Sequence, residues 1–153
     1  MSSSTTQLDL RGTGYCASFN FRRAARAVTR LYDDAFQGTK IRSTQFTILI
    51  AVAKAQPASI STLGSILIID STTLTRTLAK LQKQGLIAIS RRAERRQRFV
   101  TLTDAGASVL EHAVPRWREA QERFERAIGA EFWLSFRTEL ERLAHVAVNL
   151  EKA

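Results

Sequence analysis

The chain has 153 residues, 44% hydrophobic and 24% charged, with a formal net charge of +9 and a pI near 10.8. That length fits one globular domain, or two small subdomains sharing a core; no apolar run approaches the roughly 18 residues of a membrane span, and the N-terminal MSSSTTQLDLRGTG lacks the apolar centre of a signal peptide. The single cysteine, Cys16, excludes an intramolecular disulfide, and with only His112 and His145 beside it no sequence-local metal cluster can form, so a cytoplasmic protein without metal or other cofactor is expected.

In chain order, residues 1–14 read as a polar tail. YCASFNFRRAARAVTRLYDDAF then places Ala24, Ala27, Val28, Leu31 and Ala35 at steps of three and four, the spacing of one helix face, and Gly38 ends that helix. The same segment repeats Arg22, Arg26 and Arg30 every four residues, a cationic stripe expected to be solvated and partly paired with Asp33 and Asp34. STQFTILIAVAKA follows as a short helix buried on most sides, with Phe46, Leu49, Ile50 and Ala53 apolar, ending before Pro57.

SISTLGSILIID has Leu63, Ile66 and Leu67 at helical spacing, and a few residues separate it from a second helix starting at Asp70, whose carboxylate can accept the free amide hydrogens of a first turn. Leu74, Leu78 and Leu81 supply that helix's buried stripe, and Gly85 ends it. LIAIS and RFVTL are β-rich runs on either side of an arginine cluster, a hairpin with a long charged tip. From Thr103 a long helix carries Leu110, Ala113, Val114, Trp117, Phe124 and Ile128, with a bend expected at Pro115; a last helix after Gly129 carries Phe132, Phe136, Leu140, Leu143, Ala147 and Leu150.

These elements make a mainly α fold with a small β-hairpin wing: a winged helix–turn–helix lobe over 41–103, set in a helical dimerisation frame over 15–40 and 104–153. The terminal helices have a wider apolar surface than so small a centre can cover, which points to a homodimer. Charge is unevenly spread. Residues 1–70 carry a net +4, residues 71–100 carry 8 basic and 1 acidic side chain for a net +7, and residues 104–153 carry −2. The anionic partner therefore meets the middle of the chain, and double-stranded DNA is the expected one.

In a helix–turn–helix the second helix enters the major groove N-terminus first. Ser71, Thr72, Thr73 and Thr75 are short donors and acceptors suited to bases or phosphates, Arg76 has the planar fork that matches guanine O6 and N7, and Lys80 suits phosphate. Arg91, Arg92, Arg95 and Arg96 on the wing can follow the adjacent minor groove, with Glu94 bracing one of them. A Gly-rich phosphate loop, a paired-carboxylate site and a serine-hydrolase nucleophile motif are all missing, so enzymatic turnover is not expected.

STTLTRTLAKLQKQGLI, the wing ERRQRFVTLTDAG and the preceding RSTQFTIL resemble the multiple antibiotic resistance regulator (MarR) family of winged-helix transcription factors over residues 15–150. The resemblance implies a homodimer with interlocked first and last helices, acting on a pseudo-palindromic operator, and release by a small phenolic or aromatic anion such as an aromatic carboxylate. It places the effector between the helical frame and the winged lobe, where Tyr32, Arg42 and Phe46 are the candidate ligands, with Phe21 as a weaker one. It also raises an oxidant-sensing alternative through Cys16, although the spacing to Tyr32 does not reproduce the tyrosine support of that branch, and a small packing role for Cys16 is expected instead. An architectural DNA-binding protein without effector is the other alternative. Two departures stand out in LGSILIID: the family has alanine at Gly64, a polar residue at Ile66 and glycine at Ile68. Because a β-branched residue resists positive φ, the turn at Ile68 is expected to take a different geometry, or the helix to end earlier.

Overall fold

The apolar periodicities resolve into six helices and a three-stranded sheet in the computed structural model, which describes residues 9–91 and 97–151. After a 3₁₀ turn at Thr13–Tyr15, α1 spans Ala17–Ala35, α2 Ser43–Ala55, α3 Ile60–Leu67, α4 Ser71–Lys83, α5 Asp104–Ile128 and α6 Ala130–Glu151. The strands are β1 (Ala58–Ser59), β2 (Ile87–Arg91) and β3 (Arg98–Leu102), all antiparallel in the order β1-β3-β2. The hairpin of β2 and β3 is the expected wing. The short β1, pairing Ala58 with Val100, was not legible, because two residues carry no period. None of the described helices is long and apolar enough to cross a membrane.

Local chemistry accounts for the starts of α3, α4 and α5. The Asp70 carboxylate accepts from the Thr73 amide at 2.8 Å, the Ser59 hydroxyl from Thr62 at 3.0 Å, and the Thr103 hydroxyl from Gly106 at 3.0 Å. The start of α2 is different. Its N-cap is Arg42, a side chain with no acceptor, and the missing acceptor comes from α1: Asp33 Oδ1 accepts from the Ser43 amide at 2.8 Å and the Ser43 hydroxyl at 2.7 Å.

Leu49, Val52, Leu63, Leu74, Leu78, Leu81 and Val100 form the centre of the lobe, each at most 1% exposed. Burial of one such side chain contributes about 1.5–3 kcal/mol, so the three leucines of α4 hold that helix against α3 and the sheet while its opposite face stays open. α5 runs through Pro115 without ending and adds Leu110 and Ala113 to the same core. By contrast, α1 and α6 bury no side chain fully, and the stripe of Ala24, Val28 and Leu31 finds no complete cover within the chain.

The turn between α3 and α4 corrects an expectation. The helix ends at Leu67, and Ile68 adopts φ 50° and ψ 49°, the left-handed conformation that the sequence argued against. Ile69 N–H closes the turn onto the Gly64 carbonyl at 3.1 Å, which makes a Schellman cap with isoleucine where glycine is the usual residue. The glycine stands at 64 instead, where a Cβ would lie 3.3 Å from the Ile69 carbonyl oxygen. Tertiary packing of α3 against α4 overrides the local preference, against a penalty of about 1–2 kcal/mol for an L-residue in this region.

Candidate nucleic-acid interface and effector cavity

Capping and packing together aim the first turn of α4 outward. Leu74, Leu78 and Leu81 face the core, Asp70 folds back onto the Thr73 amide, and Ser71, Thr72, Arg76 and Lys80 are left exposed on the other side. The capping bonds from the first-turn amides hold the Asp70 carboxyl below the usual carboxylate range, so the cap stays charged at neutral pH. Thr73 and Thr75 are half-buried, and Thr73 spends its carbonyl on the Thr77 hydroxyl at 2.9 Å. The structure thus brings Ser71, Thr72, Arg76 and Lys80 onto one open face and places Thr73 and Thr75 at its edge.

At the base of the wing, Arg91 lies directly opposite Arg98 across the β2–β3 ladder, and both are exposed. Like charges in that register destabilise a hairpin, and among the described residues neither makes an ion pair. Arg98 was not singled out by sequence, although its position next to the arginine cluster was a sufficient signal. Arg92, Arg95 and Arg96, with the bracing Glu94, lie outside the described residues.

A cavity of about 560 Å³ opens between α1, α2 and α5. Phe46, Phe36 and Trp117 form an aromatic wall, with ring centroids 4.8 Å apart for Phe36–Phe46 and 6.2 Å for Phe46–Trp117. Val28, Ile50 and Val114 add apolar surface, and Lys54 is the one charged side chain in the lining among the described residues. Tyr32 also lines it. Its hydroxyl donates to Gln121 Oε1, and Gln121 donates in turn to Glu125 at 2.7 Å; burial, then the Glu125 charge, raises the phenol pKa above its ordinary value.

Of the four side chains expected at an effector, Tyr32 and Phe46 meet here and two do not. Arg42 opens onto a separate polar cleft of about 600 Å³ beside α4, where its guanidinium pairs with Asp33 at 3.3 Å. Phe21 is 42% exposed and lines neither cavity. Lys54 takes the place expected of Arg42. The signal was present in sequence, since Phe46, Ile50 and Lys54 follow at steps of four on one face of α2.

Cys16 is exposed at the N-cap of α1, which corrects the packing role expected of it. Tyr32 lies sixteen residues further on, about 24 Å along a helix at 1.5 Å per residue, so within one chain it cannot support the thiol. Arg22, Arg26 and Arg30 make no ion pair with Asp33 or Asp34 among the described residues, Asp33 being engaged with Arg42 and Ser43.

A helix–turn–helix with an open recognition helix, backed by a three-stranded wing and flanked by long helices, defines a winged-helix protein. The MarR family profile matches residues 41–97, the lobe itself. The transcriptional regulator MosR of M. tuberculosis, solved in complex with DNA, is 31% identical, superposes with a TM-score of 0.78, and is matched over 86% of this chain and 96% of its own. The chain belongs to the MarR family. An organic hydroperoxide resistance transcriptional regulator of Bacillus subtilis (strain 168) is 30% identical over 92 residues, 60% of this chain and 63% of that protein, so the match spans less than two thirds of its length. The PcaV transcriptional regulator of Streptomyces coelicolor, 22% identical over 92% of this chain and 98% of its own with a TM-score of 0.78, shares the fold.

Proposed function

We propose that this chain is a ligand-responsive transcriptional regulator, a repressor, that binds a pseudo-palindromic DNA operator as a homodimer and is released by a small aromatic or phenolic anion. The observation that carries the reading is the open face of α4 with Arg91 and Arg98 beside it. Hydroxyls and a guanidinium stand at a free helix start, and two arginines face each other across a hairpin with no described counter-ion, an arrangement that phosphate neutralises. MosR, a relative solved with DNA, supports the same partner.

Dimerisation is supported by the uncovered apolar surface of the frame. Phe132 and Leu134 of α6 are 55% and 58% exposed, and Phe19 and Phe21 of α1 and Leu143, Val146 and Leu150 of α6 are exposed with them. Exposed apolar side chains in that number are stable in water when a second copy covers them. Two recognition helices then sit about one helical turn apart, on the order of 34–36 Å, and set half-site spacing.

The cavity supports the effector class. Its volume suits a drug-sized ligand, its walls are apolar and aromatic, and its one cation, Lys54, can take a single carboxylate or phenolate. Tyr32 stays neutral at physiological pH and offers no second charge. A ligand there packs between α2 of the lobe and α1 and α5 of the frame, and it releases DNA by its difference in affinity between two spacings of the recognition helices.

The test is a selection from random duplexes followed by calorimetry. A two-fold site, a dimer at micromolar concentration, and an aromatic carboxylate that binds less tightly in Lys54→Gln and less tightly in the presence of operator are the expected results. Unaltered affinity in Lys54→Gln removes the site assignment, and ligand binding indifferent to operator removes the allosteric reading. Binding to random DNA as tight as to the selected site would instead identify an architectural protein. The exposure of Cys16 and the name of the Bacillus subtilis relative favour a second reading, oxidant sensing, which peroxide treatment tests below.

A further inference from the structure

Within the winged lobe, 41–103, Ile66 and Ile68 are the only large hydrophobic side chains among the described residues that remain exposed, at 55% and 58%. Every other exposed large hydrophobic among the described residues belongs to the terminal segments and helices, the surface proposed above to meet a second copy. Folding does not account for these two. Ile68 holds φ 50°, a conformation in which glycine or asparagine is more stable, and its side chain gains little burial in return. Ile69, the next residue, is half-buried, so the chain turns Ile68 to the side opposite the core.

That side leads into the start of α4, the face proposed to meet DNA. Ile68 precedes the Asp70 N-cap by two residues, and the exposed Ser71 and Thr72 follow at once. The segment that follows, 71–100, carries a net +7. The partner of this surface must therefore be anionic and must also present apolar points inside a groove. The major groove of DNA does so through the C5-methyl group of thymine, which side chains read by apolar contact. The three residues of chain from Ile68 to Ser71 span at most about 10 Å, roughly three base steps at 3.4 Å each.

We propose that Ile68, with Ile66 near it in sequence, reads thymine methyl groups in the major groove, within about three base steps of the bases reached by Ser71. The proposal rests on the DNA-binding reading above and adds a sequence requirement to it: thymine at a defined position in each half-site. The isoleucine is kept in a strained turn because it contributes specificity that glycine cannot.

Deoxyuridine tests this, since it lacks only the methyl group and pairs as thymine does. The full-length dimer is titrated onto its selected operator with each thymine in turn replaced by deoxyuridine in both half-sites. Wild type should lose about fourfold in affinity per half-site at one or two positions, the worth of one buried methyl group. In Ile68→Gly and Ile68→Asn, which suit the left-handed turn, thymine and deoxyuridine duplexes should bind alike while both variants melt at or above the wild-type temperature. A wild type indifferent to every deoxyuridine, or an Ile68→Gly variant as sensitive as wild type, overturns the assignment. Unchanged operator discrimination together with lost binding to phosphatidylglycerol vesicles in Ile68→Gly would overturn it in favour of a membrane surface. If no two-fold operator is recovered by wild type, the DNA-binding reading falls first and this assignment with it.

Discussion

Gly106→Ala separates helix propensity from packing, because the two give opposite signs. Gly106 is buried in the first turn of α5, where a Cβ would lie 2.0 Å from the Leu86 carbonyl oxygen and 3.3 Å from Leu102 Cδ2. Carbon contacts settle near 3.5 Å, so the start of α5 must retreat from the α4–β2 connection by roughly 1–1.5 Å. That retreat takes both the bond from the Thr103 hydroxyl to the Gly85 carbonyl, at 2.6 Å, and that from the Thr103 amide to the Leu86 carbonyl, at 3.2 Å, beyond hydrogen-bonding distance. Overpacking costs about 1–3 kcal/mol and two lost hydrogen bonds about 1 kcal/mol each, while alanine returns about 1 kcal/mol of helix propensity. The net loss is about 2–4 kcal/mol, a lowering of the urea midpoint by about 1–2 M. Urea unfolding at matched protomer concentration, followed by circular dichroism, measures it. Ala107→Gly, on the exposed side of the same turn, should cost no more than about 1 kcal/mol. A Gly106→Ala protein as stable as wild type, or more stable, would refute the packing argument.

Burial raises the Asp33 pKa, but the Ser43 amide and hydroxyl and the Arg42 guanidinium outweigh it and hold the carboxyl below its ordinary value. A depressed folded-state pKa contributes stability that is present above the unfolded value and lost as pH falls through the folded one, so Asp33→Asn should flatten the acid limb of the stability profile, and parallel profiles would contradict the α1–α2 clamp. Arg76→Ala should relax sequence preference at one or two positions of each half-site, whereas Lys80→Ala should weaken all sequences alike and reduce the salt slope by about 0.9 per half-site, about 1.8 for the dimer; selection and salt titrations distinguish them, and interchanged effects would reassign both. Leu134→Glu should yield a monomer by sedimentation with weakened operator binding, and a dimer that persists would move the interface off α6. Cys16→Ser should respond to peroxide as wild type does; peroxide release of operator that vanishes in the variant would establish oxidant sensing.

Much of the lobe was legible because its signals are local. Leu74, Leu78 and Leu81 at helical spacing, Asp70 ahead of them, Gly85 behind, and the charge excess over 71–100 each act within a few residues, so the recognition helix, its cap and its anionic partner could be read from order alone. What needed the fold is what depends on two distant segments meeting. Asp33 caps α2 from α1 because Arg42 has no acceptor of its own, and that bond turns Arg42 away from the cavity where sequence had placed it. Lys54 became the cavity's cation only when α1 and α5 closed over its face of α2. Ile68 entered the left-handed region against its own preference, since the packing of α3 on α4 outweighs the one or two kcal/mol that a single residue can oppose. Periodicity reports which face of an element is apolar; which other element covers that face, and what is left open beside it, is decided by contacts between residues far apart in the chain.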